Sequence, residues 1–152
     1  MVKKVLISIF SIMILLLLVS FSQNDEKPKL TIEMSNQKVQ YIISDYSWGN
    51  LFNKEKQSVR DEYKLGSKLE GMKSFPGDYV NIHFTINPKK LNIIEHNQNN
   101  KGKLYTSFGE DEDGFAFQID TIYGERIFEI KGYWENGQHF SYLIKVNIEK
   151  RS

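Results

Sequence analysis

The residues of this 152-residue chain with most chemical potential are its carboxylates, densest at Glu110, Asp111, Glu112 and Asp113 just before Gly114. Hard cations such as calcium are held by several carboxylate oxygens around a sharp glycine turn, and Asp111-Glu112-Asp113-Gly114 has part of that pattern. Placing Gly114 at the turn puts Gly109 at the first ligand position and leaves Asp120 as the far ligand, where a bidentate Glu is expected. A weak calcium candidate of Asp111, Asp113 and Asp120 results. The better reading is a solvated hairpin turn without metal.

Histidine and hydroxyl chemistry is thinner. His83, His96 and His139 have none of the spacings of a zinc ligand pair on a helix or hairpin, and are expected to be three unrelated surface side chains. No serine sits in a Gly-x-Ser-x-Gly elbow, and no glycine-rich phosphate loop occurs. Carboxylate pairs of the glycosidase kind meet in space rather than in sequence, so the 19 acidic residues neither make nor exclude one. The chain has no cysteine, which removes disulfides, thiol nucleophiles and thiolate metal sites together. The expectation is a protein that is not an enzyme and carries no cofactor, because no set of residues meets the requirements of a catalytic site.

Aromatic side chains offer binding instead of catalysis. Tyr46, Trp48, Phe52, Tyr133 and Trp134 fall near the ends of expected strands, where the loops of a sandwich carry function. Exposed Trp or Tyr could stack on a sugar or form a protein contact, whereas buried Trp would plug the core. Leu143 interrupts an otherwise polar strand face, either as ordinary exposed apolar surface or as part of a contact patch. The candidate contact set is Tyr46, Trp48, Phe52, Tyr133 and Leu143.

The elements that must position these groups are strands. Apolar residues recur with period two at Val80, Ile82, Phe84 and Ile86, at Phe115, Phe117 and Ile119, at Phe128 and Ile130 with Trp134 in the same parity, and from Phe140 to Ile148. Earlier strands are expected at Leu30 to Met34 and Val39 to Ser44, with others near Leu91 to His96 and Leu104 to Phe108. Asn136-Gly137 predicts a hairpin, Pro76-Gly77 introduces a strand that Pro88 closes, and Asp113-Gly114 and Tyr123-Gly124 bracket another. Residues Leu51 to Leu65 do not alternate. Phe52, Val59 and Tyr63 are spaced for one helical face, so a helical turn or an ordered loop is expected there.

The N-terminus adds a location. Lys3 and Lys4 precede an apolar run from Val5 to Val19, and Ser20-Phe21-Ser22 has the small-x-small form of a cleavage site. As a helix the run would be about 22 Å long, short of the roughly 30 Å hydrocarbon core of a bilayer. The expected organisation is a signal peptide or uncleaved anchor at 1–22, a linker at 23–29 and one β-domain at 30–150. Without Lys3 and Lys4 the chain keeps 18 basic against 19 acidic residues, so no overall field draws in nucleic acid or anionic lipid. Each strand has one apolar face to bury, which implies two packed sheets.

Tyr46-Ser47-Trp48, Pro76-Gly77 before an alternating strand, Pro88, Gly124, Phe128, Gly132-Tyr133-Trp134, Asn136-Gly137 and Ser141-Tyr142 form a longer pattern. It resembles a family of small exported proteins and lipoproteins of Gram-positive bacteria, largely uncharacterised and immunoglobulin-like, over about Lys27 to Lys150. The resemblance implies an extracytoplasmic sandwich and brings no catalytic residues. Members often carry a lipobox cysteine, and many have a cysteine beside the tryptophan of Tyr-x-Trp and a second in the next loop. Ser47 stands at the first of these two, so neither a lipid anchor nor a disulfide carries over, and residues 51–65 become a candidate mobile region.

The expected fold is therefore all-β, an antiparallel immunoglobulin-like β-sandwich of about 7–9 strands preceded by an N-terminal hydrophobic signal helix. The expected function is that of an exported non-enzymatic module, binding or envelope-associated, secreted or tethered at the outer face of the cell membrane. Its partner would be an envelope protein or a glycan, with no nucleic acid, and the membrane would be met only through an uncleaved N-terminal segment. A secreted protease inhibitor and a wall- or glycan-directed hydrolase are the alternatives.

Overall fold

The computed structural model describes Met13 and residues 26–49, 53–109 and 114–151. The N-terminal apolar segment, Phe52, Asp111 and Asp113 lie outside the described residues, and with them the signal, the acidic run and one of the aromatic candidates. Among the described residues no helix is long and apolar enough to cross a membrane.

Among the described residues eleven strands form two packed sheets. The smaller sheet has the order β2-β1-β6-β9, from β1 (Leu30–Met34), β2 (Gln37–Lys38), β6 (Tyr79–Phe84) and β9 (Phe115–Gln118). The larger runs β4-β3-β11-β10-β7-β8, from β3 (Ile42–Gly49), β4 (Lys54–Ser58), β7 (Lys90–His96), β8 (Gly102–Phe108), β10 (Gly124–Tyr133) and β11 (His139–Ile148). Strand β5 (Met72–Ser74) continues the β3 side of β11 as the one parallel pairing among the described residues. The antiparallel sandwich expected from alternation is the fold that forms. Its strand number exceeds the expectation because β2, β4 and β5 are short and polar, and so carry no apolar period.

Alternation predicts the inner faces well. Ile32, Met34, Val80, Ile82, Leu91, Ile93, Phe115, Phe117, Phe128, Ile130, Phe140, Tyr142, Ile144 and Val146 make one core between the sheets. Trp48 stands edge-on to Trp134 at 5.5 Å and lies against Phe140, closing one end of that core. Trp134 is held there by its indole N–H, which donates to the Ile86 carbonyl at 3.0 Å. The hairpin at Asn136-Gly137 is present: both residues take positive φ, 56° and 72°, inside a short 3-10 turn at Glu135–Gly137.

Residues 53–71 hold a strand and a helix. Strand β4 is fully exposed at the sheet edge, and α1 (Glu62–Gly66) is a five-residue helix capped by Asp61, whose carboxylate accepts from the Lys64 amide at 2.8 Å. Asn100 staples this segment down, accepting from the Tyr63 amide and donating to the Arg60 carbonyl and Glu62 carboxylate. The helix packs over the outward faces of β3, β10 and β11. Gly66 sits so close to Ile127 that a Cβ there would meet it at 2.5 Å. The residues before β1 are also seated: Lys27 pairs with Glu55, Pro28 is buried, and Lys29 exchanges hydrogen bonds with Thr85.

Candidate functional site

The outward face of the larger sheet is where polar residues meet. Antiparallel register sets Ser58, Asp45, Ser141, Lys131, Asn92 and Ser107 side by side across successive strands. A second rung holds Lys56, Ser47, His139, Tyr133 and Lys90. Strand parity puts these side chains on one surface, because a β-bulge in β3 opposite Ser141 and Tyr142 restores the phase of Asp45 and Ser47.

Several groups on this face are joined into one chain of polar contacts. His96 Nε2 and Glu129 Oε2 are 2.7 Å apart and both side chains are only 7% exposed. Glu129 Oε1 lies 3.9 Å from Lys131 Nζ, which donates to Asp45 Oδ2 at 3.2 Å. Asp45 Oδ2 also meets His139 Nε2 at 3.0 Å. Burial alone would push the Glu129 carboxyl up, yet the His96 hydrogen bond, the nearby Ser141 hydroxyl and the Lys131 charge hold it below the ordinary carboxylate range. Ser141 Oγ acts there by proximity, since it is buried without a partner at hydrogen-bonding geometry. Burial likewise works against the Lys131 charge, and Glu129 and Asp45 reverse it to raise the ammonium above its ordinary value.

The expectation of three unrelated surface histidines holds for His83 alone, which is exposed on β6. His96 is buried against the Glu129 carboxylate, and His139 ends the same polar chain. The signal was available: hairpin pairing about Asn136-Gly137 places Lys131 opposite Ser141 and Tyr133 opposite His139. What was hidden is the β7–β10 pairing that brings His96 beside Glu129, 33 residues away.

At its exposed end the polar chain opens into a depression of about 350 Å3 lined by Asp45, Ser47, Lys54, Lys56, Ser58 and His139, with Tyr46, Gln57 and Gly137 completing it. The hairpin wall is tied to β3 by the Gln138 amide, which donates to the Gly49 carbonyl at 3.1 Å. His139 directs Nε2 at Asp45 and Nδ1 toward the Gly137 carbonyl at 3.4 Å, so both ring nitrogens face acceptors.

The candidate contact residues are divided by burial. Trp48 is 5% exposed and Leu143 is fully buried, so both are packing residues rather than contact residues. Leu143 lies on the outward parity but is covered by α1 and the chain that follows, which alternation alone does not reveal. Tyr46 is half-buried and stacked on Phe140 at 5.1 Å. Tyr133 is half-buried on the outward face, 6.4 Å from the His139 ring. Exposed aromatic surface lies elsewhere, at Tyr79 and Tyr123.

Asp120, the far residue of the calcium candidate, is engaged by a cation already. Its carboxylate accepts from Arg126 and from the Ile122 amide, and Arg126 also makes a two-point contact with Glu95 at 2.6 and 2.5 Å. Arg126 is 5% exposed and lies over the Tyr105 and Phe128 rings, forming a clamp between β10, β7, β8 and the segment after β9. Burial would raise the Asp120 carboxyl, but the Ile122 amide and the guanidinium together leave it lowered. Among the described residues no group of three His, Cys, Asp or Glu is arranged to hold a metal ion.

Fold and site together define an antiparallel β-sandwich with a polar outward sheet face. No protein-family model matches the chain, and no curated protein matches it. A solved structure, the neutron crystallographic structure of a Jonesia denitrificans lytic polysaccharide monooxygenase, is similar at a TM-score of 0.41 and 12% identity, over 54% of this chain and 60% of that one. So slight a likeness carries nothing over to this chain.

Proposed function

We propose that this chain is an exported, non-enzymatic β-sandwich module that receives a ligand or partner on the outward face of its larger sheet. The depression beside the β10–β11 hairpin carries this reading: three adjacent strands turn charged and hydroxyl side chains into one concavity on a rigid sheet. The charged start, apolar run and Ser20-Phe21-Ser22 junction support export.

The test combines location with capture. A mature start at Gln23 in the medium identifies a soluble factor, and an intact Met1 in the membrane fraction a tethered one. Finding the chain in the cytoplasm overturns export. Ser58 is exposed and lines the depression, so Ser58→Trp fills it without touching the core. A partner captured from envelope extracts by the wild type and lost with Ser58→Trp is the expected result. No enriched partner, or capture indifferent to Ser58→Trp, overturns the binding site.

A further inference from the structure

The charge in the depression is one-sided. Lys54, Lys56 and Ser58 of β4 share the outward face with Asp45 and Ser47 of β3 and His139 of β11. Asp45 is the single carboxylate among the described lining residues, and its Oδ2 is already engaged by Lys131 and His139. Glu55, between the two lysines, has the opposite parity and pairs with Lys27. Among the described residues Lys54 and Lys56 have no carboxylate partner, and both are exposed. Two ammonium groups without a carboxylate partner among the described residues thus stand on one wall of a concavity. Two residues apart on a strand, their Cα atoms are separated by about 7 Å, close enough to act on one anionic group. Ser47 and Ser58 add hydroxyls that both donate and accept, the pairing a polyol requires.

We propose that this depression binds an anionic polyhydroxy compound, a sugar or polyol carrying a phosphate or carboxylate. Lys54 and Lys56 hold the charge, and Ser47 and Ser58 hold hydroxyls. The proposal rests on the binding-module reading and names its ligand class. Lysine suits the task, since a compact ammonium on a flexible stem meets a single charge without demanding a two-point geometry. The depression is of a size for one sugar unit.

The test is a titration of the isotope-labelled mature chain followed through its backbone amides. Glucose 6-phosphate and glucuronate are the two charged probes, glucose the neutral one and inorganic phosphate the charge alone. Saturable shifts at Ser47, Ser58 and His139 are expected with at least one charged sugar, about tenfold or more weaker with glucose and with phosphate, and weakened by salt. The phosphate and carboxylate arms show which anion is preferred. Lys54→Gln with Lys56→Gln lowers affinity at least about tenfold while leaving distant amide positions unchanged. Equal binding of glucose or of phosphate, shifts confined to other surfaces, or no saturation up to about 10 mM overturns the proposal. If it fails while Ser58→Trp still abolishes partner capture, only the ligand class falls. If capture is also indifferent to Ser58→Trp, the binding-module reading falls with it.

Discussion

His96 and Glu129 face each other across β7 and β10 with 2.7 Å between Nε2 and Oε2, on a sheet face that alternation marks as solvent-facing. Gly102, opposite His96 on β8, leaves room for the ring: a Cβ there would meet His96 Cε1 at 3.2 Å. The chain from Arg60 to Gly71 closes over this side of the sheet. A polar pair with one strand position between its partners is thereby taken out of water, and its geometry must compensate for the lost hydration.

Removing one partner leaves the other buried without its nearest hydrogen-bond partner. Glu129→Ala or His96→Ala is expected to cost about 3–5 kcal/mol, measured by urea denaturation with an unchanged m-value. Replacing both together with apolar residues of similar volume is expected to cost less than the sum of the single changes. Additive losses would show that the two side chains do not act as a unit.

The lowered Glu129 carboxyl makes stability depend on acid. A group depressed in the folded state contributes fully above its unfolded value, ordinarily 4.5, and that contribution is lost as pH falls through the lower folded value. The melting temperature should therefore fall below about pH 4.5, and Glu129→Gln should flatten part of that fall. Asp120 is depressed in the same direction and accounts for part of what remains. A Glu129→Gln variant with the wild-type acid profile would remove Glu129 from this role.

Arg126 is expected to be irreplaceable by lysine. Its planar fork meets Glu95 at two points, reaches Asp120 with a third nitrogen and stacks on two rings, and an ammonium reproduces only part of this. Arg126→Lys should destabilise the chain measurably, and Arg126→Ala should destabilise it further, because it also removes the stem packed on the Tyr105 and Phe128 rings. Equal stability of the lysine variant would show that charge alone suffices.

Gly132 marks a close approach on the core side. A Cβ there would meet the far edge of the Trp134 indole at 2.6 Å, and that ring is held by Ile86, Trp48 and Phe84. Gly132→Ala is expected to cost about 1–3 kcal/mol and to shift tryptophan emission as the indole is displaced. Unchanged emission would mean the strand moves instead.

Leu143 tests the cover over the outward face. As an exposed contact residue its truncation would leave stability intact. As a fully buried side chain beneath α1 it should cost about 2–5 kcal/mol in Leu143→Ala, read by thermal or urea unfolding.

The periodic part of this protein is written in its residue order. Apolar residues at every second position in β1, β6, β9, β10 and β11 can bury one face only, so two sheets must pack, and Asn136-Gly137 must turn between two of them. Trp134 follows the same inward parity, whereas Trp48 is turned inward by the register of β3 with β11. What period two cannot express is a second burial on the opposite face. Leu143, Ile127 and Glu129 alternate as surface residues and become interior only because residues 60–71 fold back over them, a contact between segments some sixty residues apart. The short strands β2, β4 and β5 were silent for a related reason: their pairing is carried by backbone hydrogen bonds to a neighbour, and not by an apolar face of their own. The candidate site has the same origin. Asp45, Lys56, Lys131 and His139 come from four strands, and only the tertiary register sets them on one surface. Side-chain type was written in the sequence; adjacency was decided by which strands lie side by side.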